Sequence, residues 1–515
     1  MKKLIIFSLC AVAAMAAVSC SNKENAEAPA SQRVPATINA VAQATSKMTI
    51  DALQTSWEAG DAVSVFDIEG KSEGRFTASA AGTKVAFGGT KASEDDLLYY
   101  AIYPANDAAV YDAEAATIKT TIPCEQDGTI SSALAFAQND GDDNFVFYNV
   151  TSVVKFTIPE TETDIEKVIF VADSSRTIAG DVVVKLDEFT SVASEAEDAA
   201  KYAIVVVTNG DKPLTPGDKY ISVLPGTCAG TLVFAKKDGS VRYAAAKPVS
   251  YRTYKVNTIK NLGTANITWV KGAAWGVYSV AMDKAKGINK KVLFAQGNVQ
   301  YNGTTGEWRI SSDPVNGIHE YNTESWIEHF FWNNADIPTG YAEDRTQKTW
   351  SEAGDWSKKI GAGWSMFTQA EANFIAVVSS GASNHRESKK VVSQAWATAR
   401  ISDANMKFCI WYPDGYPGPF LSKDGFTEVT EDELNALQDK GCVIIACDSA
   451  VEYKNSNFVF SGNNLGNVSW LWTQSRRSAA GAAAALRFNF TSTNEVKTAN
   501  LLNAAYNVRP MYEIK

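Results

Sequence analysis

A stretch of small polar residues that runs into two tryptophans is the part of this sequence best suited to ligand binding. It covers residues 461–477, SGNNLGNVSWLWTQSRR. Amide, hydroxyl and guanidinium groups donate and accept hydrogen bonds, and an indole ring offers a flat face to a sugar or to an apolar patch on a partner. The candidate ligand-binding residues are Asn463, Asn464, Asn467, Trp470, Trp472, Ser475 and Arg476.

Two other interpretations fit the same stretch. It could be a solvated loop that binds nothing, or a turn that leads into a buried strand. Strand alternation is expected to let only one of Trp470 and Trp472 point outward, with the other packed in the core. A ligand-binding loop therefore predicts one exposed aromatic side chain.

Residues suited to catalysis or metal binding are scattered. His319, His329 and His385 lack metal-ligand spacing, and the sequence has no nucleophile elbow, phosphate-binding loop or dinucleotide fingerprint. Cys442 and Cys447 lie in the apolar run CVIIAC, where burial raises the pKa of a thiol and makes it unreactive. We therefore predict no catalytic residue, no metal site and no cofactor, and we expect that the protein is not an enzyme.

The N-terminus has the layout of an export signal. Lys2 and Lys3 precede the apolar stretch LIIFSLCAVAAMAAV, which is too short to span a bilayer as a stable helix. The following AVSC resembles a bacterial lipobox, which implies cleavage before Cys20 and lipidation of that cysteine. An ordinary export signal with a chance cysteine is the alternative. Residues 1–19 are thus predicted to be a lipoprotein signal peptide, and residues 20–33 a solvated tether or propeptide.

Composition divides the remaining chain into two unlike parts. Of the 13 tryptophans, only Trp57 and Trp269 precede residue 270, so the two parts have different core material. The net charge of −10 and the lack of a basic patch argue against a nucleic-acid partner. Short apolar runs separated by Gly, Pro, Asp and Asn predict antiparallel β-sandwiches in the front part. The acidic stretch AQNDGDDN near residue 140 is predicted to be a linker there.

The order of motifs in the front part resembles that of fimbrillin-family (Mfa-like) proteins, over residues 34–263. The motifs are TSWEAGDAVSVFD, YYAIYPAND, FVFYNVTSVVKFTI, IAGD and ISVLPGT. The resemblance implies two transthyretin-like β-sandwich domains, which we place at 34–143 and 144–268, and a role in surface pili. It also implies export as a lipoprotein to the outer membrane and the cell surface.

A processing site is implied by the same resemblance. In many members of the family a protease cuts after an arginine and frees a groove, which a strand of the next subunit fills by β-augmentation. Arg33, in SQRVPA, is the only arginine between Cys20 and the first predicted strand, so we predict cleavage after it. The alternative is an uncut tether arginine, in which case the protein keeps its lipid anchor.

The tryptophan-rich part carries two strong helix starts. Thr368 with Glu371, and Thr430 with Glu433, each have the spacing of a capping box ahead of an apolar helical face. Gly441 is expected to end the second helix. Two strands are predicted in KKVLFAQGNVQYNGTTGEWRI, a buried strand in CVIIAC, and closing strands in ALRFNF and NVRPMYEI. The pattern predicts an α+β domain.

Motifs in this part resemble a C-type-lectin-like domain of the formylglycine-generating-enzyme type, which we place at 276–515. They are FAQGNVQY, EWRI, WSMFTQAEANFI, WYPDGY, LQDKGCVIIAC, SWLWTQS and NVRPM. The resemblance implies a ligand surface on the long loops before the closing strands, where residues 461–477 lie. The enzyme's activity is not implied, because Cys442 and Cys447 occupy an apolar run.

Together these features predict a mostly β protein that ends in an α+β domain and serves as a fimbrial tip or accessory subunit, an adhesin. Its expected partners are other pilin subunits, through strand complementation, and a glycan or protein ligand on another cell. The segment YNVRPMYEIK is expected to close its own domain, so the subunit would accept a strand without giving one. The alternatives are a surface lipoprotein that works without a pilus and a glycan-active enzyme relative.

Overall fold

Strands dominate the structure, which is a computed structural model of the chain. The described residues are 33–42, 56–139, 141, 144–173, 176–185, 192–195, 200–283, 287–313, 326–328, 330–331, 355–375, 385–388, 391–401, 406–423, 425–446, 451–454, 457–460, 468–476, 483–489, 495–500 and 504–515. Their secondary structure is mostly β, which confirms that part of the predicted fold class. Within these ranges, no helix combines the length and the apolar character that crossing a membrane would require.

The first ten strands lie between residues 34 and 149. They are β1 Val34–Ala42, β2 Ala62–Asp67, β3 Ser72–Ala78, β4 Lys84–Lys91, β5 Leu98–Tyr103, β6 Val110–Asp112, β7 Thr117–Ile122, β8 Glu125–Gln126, β9 Ala135–Gln138 and β10 Asn144–Asn149. Most of them form a closed barrel, here called the front barrel, with the order β1-β10-β9-β5-β2-β3-β4. β1 closes it, parallel to β10 and antiparallel to β4.

A tryptophan fills the front barrel. The ring centroid of Trp57 lies 5.0 Å from those of Phe87 and Phe147 and 5.2 Å from that of Tyr103, each in edge-to-face geometry. Such aromatic pairs add stability beyond the area that they bury. The single tryptophan of this part of the sequence therefore serves as the centre of a core.

The acidic stretch near residue 140 falls between two paired strands of the front barrel. It joins β9 to β10, which pair antiparallel, and Asn139 forms a bridge with Phe145. The interpretation of this stretch as a linker was therefore wrong, because its two flanking strands are neighbours in one sheet. The predicted boundary between residues 143 and 144 falls between these paired strands.

Eleven strands follow in a middle unit, residues 151–271. They are β11 Ser152–Ile158, β12 Lys167–Ala172, β13 Ala179–Lys185, β14 Val192–Glu195, β15 Lys201–Tyr202, β16 Ile204–Thr208, β17 Gly217–Val223, β18 Gly226–Asp238, β19 Val241–Tyr254, β20 Thr258–Thr264 and β21 Val270–Lys271. A 3-stranded sheet, β17-β11-β20, shares a core with a 6-stranded sheet, β21-β19-β18-β12-β16-β8. Two strands that precede β9 and β10 of the barrel in the sequence also pair in this unit: β7 pairs with β13, and β8 pairs with β16.

The 6-stranded sheet is buried on both faces. Phe170 and Phe234 face the core of the middle unit, whereas Ile169 and Val233 pack in a second core with Trp275. A strand covered on both sides has no solvent face, which accounts for the unbroken apolar run KVIFVA of β12. The middle unit and the part of the chain that follows it therefore share a core.

The C-terminal unit, residues 273–515, combines strands with short helices. Its elements are β22 Ala273–Asp283, β23 Gly287–Ala295, β24 Val299–Asn302, β25 Trp308–Ile310, β26 Trp326–Ile327, β27 Phe330–Phe331, β28 Trp364–Ser365, α1 Gln369–Ile375, α2 His385–Ser388, β29 Trp396–Ile401, β30 Met406–Trp411, β31 Thr427–Glu428, α3 Glu431–Asp439, β32 Val443–Ala446, β33 Val451–Lys454, β34 Asn457–Phe460, β35 Val468–Arg476, β36 Ala483–Asn489, β37 Glu495–Asn500, β38 Ala504–Tyr506 and β39 Met511–Glu513. Two 3-10 helices, Ile130–Ser132 and Trp356–Ile360, complete the described structure.

Both predicted helix starts are confirmed. Glu371 N–H donates to Thr368 Oγ1 at 3.2 Å while Thr368 N–H donates to Glu371 Oε2 at 2.6 Å, so α1 begins with a capping box. α3 begins with the same device at Thr430 and Glu433. After α3, Gly441 adopts a φ of 86°, a left-handed conformation that suits glycine. The hairpin sequence before α1 holds three strands, β23 to β25, where two were predicted.

Candidate functional site

The structure describes only the second part of the predicted ligand-binding stretch. Asn463, Asn464 and Asn467 lie outside the described residues. Residues 468–476, which include Trp470, Trp472, Ser475 and Arg476, form β35, the edge of a 3-stranded sheet with β36 and β37. The prediction of a loop was therefore wrong for residues 468–476, which pair with β36. The role of these residues in ligand binding stays a prediction.

The register of β35 describes the backbone at the two tryptophans, and the expectation that only one of them is exposed stays a prediction. Positions 470 and 472 pair with Arg487 and Ala485, on either side of the Leu471–Leu486 pair. Residues two apart in a strand share a face, so positions 470 and 472 belong to one face and position 471 to the other. Leu471 is buried in the core of the C-terminal unit.

The predicted processing residue is held by the front barrel, whereas the predicted lipidation residue Cys20 lies outside the described residues. Arg33 Nη2 donates to Glu73 Oε2 at 2.9 Å and to the main-chain oxygens of Glu73 and Thr90, and its Nε donates to Thr90 Oγ1. The Glu73 side chain is fully buried and also accepts from Ala92 N–H at 2.6 Å. These contacts fix Arg33 against β3 and β4.

The peptide bond after Arg33 leads directly into the first strand of the front barrel. Val34 begins β1 and pairs with Lys91, and the strand remains paired on one or both sides throughout its length. Cleavage after Arg33 would leave β1 in place and the barrel closed. The groove that the fimbrillin resemblance implies therefore has no counterpart among the described strands, and a donated strand would have to displace β1.

Replacing Glu73 by glutamine is expected to speed cutting between residues 33 and 34 by trypsin. A protease needs an extended substrate, so Arg33 must first leave its contacts. Losing a charged acceptor costs about 1–2 kcal/mol here, since Arg33 is partly exposed, and this raises the open population about 5- to 30-fold. Mass spectrometry of the new N-terminus gives the rate. The exposed residue Glu94, changed to glutamine, is the matched control, and equal rates for both variants would contradict the expectation.

The described cysteines and histidine show no reactive arrangement. Cys442 and Cys409 are buried in the core of the C-terminal unit, and burial raises the pKa of each thiol well above its ordinary value. Cys447, His319 and His329 lie outside the described residues, and His385 begins α2. Within the described ranges, no group of three or more His, Cys, Asp or Glu side chains could hold a metal ion.

A set of residues that the sequence analysis did not select forms a polar sheet face, which consists of Gln300, Asn302, Arg309, Trp326 and Glu328. β24 lies between β25 and β26, and its register places Arg309 opposite Gln300 and Trp326 opposite Asn302. Arg309 extends across β24, so that its guanidinium carbon lies 3.6 Å from the centroid of the Trp326 ring. Its Nε donates to Gln300 Oε1 at 2.6 Å.

Buried side chains hold the polar sheet face in position. Gln300 Nε2 donates to Glu328 Oε1 at 2.7 Å, and Asn298 Nδ2 donates to Glu328 Oε2 at 3.3 Å. Arg509 Nε in turn donates to Asn298 Oδ1 at 3.0 Å. Arg509 and Glu328 are 1% and 3% exposed, so the chain of contacts runs from the interior to Arg309 at the surface. Satisfied networks of this kind rigidify the groups that they hold.

The sequence contains a signal for this face. Asn298, Gln300 and Asn302 alternate with Val299 and Tyr301, as one polar side of a strand would. Alternation alone predicts a solvent-facing side, whereas all three amides are at most 6% exposed. The site forms only because β25 and β26, which are separate in the sequence, bring Arg309 and Trp326 next to these amides.

A cleft of about 670 Å³ lies between the middle unit and the C-terminal unit, beside the core that they share. Its lining includes Lys247, Pro248, Lys358, Tyr512 and Lys515. Residues 245–248 of β19 pair with β18 on one side, and among the described strands none pairs with them on the other. Lysine and proline at a free edge discourage the pairing of a further strand. The cleft is therefore unsuited to strand addition.

Comparisons with known proteins find weak likenesses. No protein-family model and no curated protein matches the chain. A solved structure from Bacteroides ovatus, of a protein assigned to cell adhesion, is 14% identical, covers 46% of this chain and 96% of its own, and has a TM-score of 0.31. A fimbrial assembly protein from Parabacteroides distasonis is 10% identical, covers 54% and 99%, and has a TM-score of 0.18. A fimbrial protein from Bacteroides ovatus is 11% identical, covers 92% and 97%, and has a TM-score of 0.21. Scores this low support no inference about this chain.

Proposed function

We propose that this protein is an exported cell-surface adhesin that serves as a tip or accessory subunit of a pilus. The export signal with Cys20 and the ordered fimbrillin-like motifs of residues 34–263 support the surface location. Two transthyretin-like domains would attach the subunit to the pilus. The lectin-like C-terminal unit would bind a glycan or a protein on another cell, and the protein would act by binding without catalysis.

The observation that carries the proposal is the pairing of residues 504–513. β39 lies between β23 and β28, and β38 lies between β27 and β33. A strand that is hydrogen-bonded on both sides within its own unit cannot also complete the sheet of a neighbour. These residues are therefore unavailable as a donor strand, which favours a terminal position in the fibre over a stalk position.

The proposal predicts that the trimmed protein, residues 34–515, does not assemble into fibres by itself. Purified protein with and without residues 20–33 should remain monomeric in light scattering and electron microscopy, because β1 stays in the barrel and residues 504–513 stay paired. On intact cells, gold-labelled antibodies should mark fibre ends.

The control is the untrimmed chain under the same conditions. Long fibres formed by trimmed protein alone, or antibody label spread along the fibre shaft, would refute the tip assignment. Label confined to the membrane would instead favour a surface lipoprotein that works without a pilus.

A further inference from the structure

The polar sheet face presents one strong hydrogen-bonding group to solvent. Arg309 is exposed, and among the described residues its guanidinium forms one hydrogen bond, from Nε to Gln300. No hydrogen bond or ion pair to the described part of the chain involves its two Nη atoms. The guanidinium therefore stacks against Trp326 and is held through its Nε.

This geometry is suited to a planar oxyanion. A guanidinium fork matches the two oxygens of a carboxylate, and stacking on an aromatic ring fixes the plane in which the pair must form. Because the Gln300 and Glu328 contacts hold the fork before any ligand arrives, little side-chain entropy is lost on binding. Burial lowers the pKa of the Arg309 guanidinium, and the Coulombic attraction of Glu307 and Glu328 opposes this shift.

The neighbours of the fork narrow the ligand class. Asn302 uses its Oδ1 to accept from the N–H groups of Thr304 and Thr305, both at 2.9 Å, and its amide N–H groups form no hydrogen bond to the described part of the chain. Trp326 is half-buried beside it. Amide and aromatic groups around a single fork suit the hydroxyls and carboxylate of an acidic sugar.

From these contacts we propose that the polar sheet face binds a carboxylate-bearing saccharide, with the Arg309 fork on the carboxylate and Asn302 on a neighbouring hydroxyl. The site is separate from the stretch 461–477. It deepens the proposed function, since it rests on the C-terminal unit being the ligand-displaying part of the protein, and it assigns that unit a ligand class.

Calorimetric titration of the mature chain with three probes tests the site. The probes are trigalacturonate, a hyaluronan tetrasaccharide and 3′-sialyllactose, with fully methyl-esterified trigalacturonate as the uncharged control. At least one acidic probe should bind, and Arg309→Lys, which keeps the charge but loses the fork, should weaken binding by about tenfold or more. Arg309→Gln should abolish it. Arg400→Gln is the matched control, because Arg400 is an exposed strand residue paired with Glu428.

Circular dichroism and thermal melts establish that each variant is folded. Three results would overturn the proposal: no binding of any acidic probe by the wild type, wild-type affinity in Arg309→Gln, or equal affinity for triglutamate, which would assign the site to acidic peptides. None of these measurements depends on fibre formation. Failure here would therefore leave the tip assignment standing, and fibre formation by the trimmed protein would leave the saccharide site standing.

Discussion

Replacing Trp275 by alanine is expected to lower the free energy of unfolding by about 3–5 kcal/mol, the usual loss for a large aromatic removed from a core. Trp275 is 1% exposed and lies in the core that the middle and C-terminal units share. Its Nε1 donates to the main-chain oxygen of Tyr243 at 3.1 Å, which joins β22 to β19. The substitution would leave a cavity and remove this link between the two strands.

Charged groups surround the same ring. Lys167 and Lys237 lie 5.0 Å from its centroid and Arg242 lies 5.5 Å away, within the range of cation–π attraction. Asp439 at the end of α3 accepts from Lys237 and Arg242, both at 2.7 Å. Burial alone would raise the pKa of Asp439, but these hydrogen bonds lower it overall. Trp275 is thus the hydrophobic centre of an ionic contact between the two units.

Urea denaturation followed by circular dichroism measures the effect. Because Trp275 joins two units, its loss should also split one transition into two. Trp269→Ala is the matched control: Trp269 is half-buried, donates to Glu162 at 3.0 Å and stays within the middle unit, so its loss should cost less. If the two variants lose equal stability and both keep one transition, the coupling role of Trp275 is disproved.

Replacing Arg509 by leucine is expected to lower the free energy of unfolding by about 3–5 kcal/mol, because several buried acceptors lose a donor at once and each such loss costs about 1–3 kcal/mol. Arg509 donates to the main-chain oxygens of Ala295, Gln296 and Ile444 and to the Asn298 amide. It therefore joins the end of β23 and the strand β32 to the segment that leads into β39.

Hydrogen exchange provides a second measurement for Arg509→Leu. The amides of residues 511–513 should lose protection first, because Arg509 holds the start of that segment. Arg400→Leu is the control, since Arg400 is an exposed arginine whose loss should change stability by less than about 1 kcal/mol. Unchanged protection of β39 in the Arg509 variant would show that strand pairing alone retains these residues.

Local features of the chain were predictable to the extent that their causes are local. The capping boxes at Thr368 and Thr430 depend on residues three positions apart, and Gly441 ends α3 through its own backbone conformation. The strand in CVIIAC follows from its apolar run, of which Val443–Ala446 is buried. The interpretation of residues 468–476 as a loop failed because polar composition was given more weight than pairing with β36.

Features that depend on distant partners were not predictable in this way. β7 and β8 pair with strands of the middle unit, and β1 closes the barrel. Each of these pairings is one of many that the same strands could form. Side-chain alternation defines the two faces of a strand but does not name its neighbour. For the same reason, the partnership of Arg309 with Trp326 and Gln300 was not predicted, although Gln300 and Arg309 lie in a stretch that was predicted to form strands.

By itself, the sequence determined that this protein is mostly β and that its C-terminal unit has capped helices, since composition and short-range spacing decide these properties. Tertiary structure alone decided that Arg33 is held by Glu73, that residues 504–513 are paired within their own unit, and that the Arg309 guanidinium stacks on Trp326 in a polar sheet face. The physical reason is that hydrogen bonds and ion pairs between residues far apart in the chain form only after the backbone has brought their strands together.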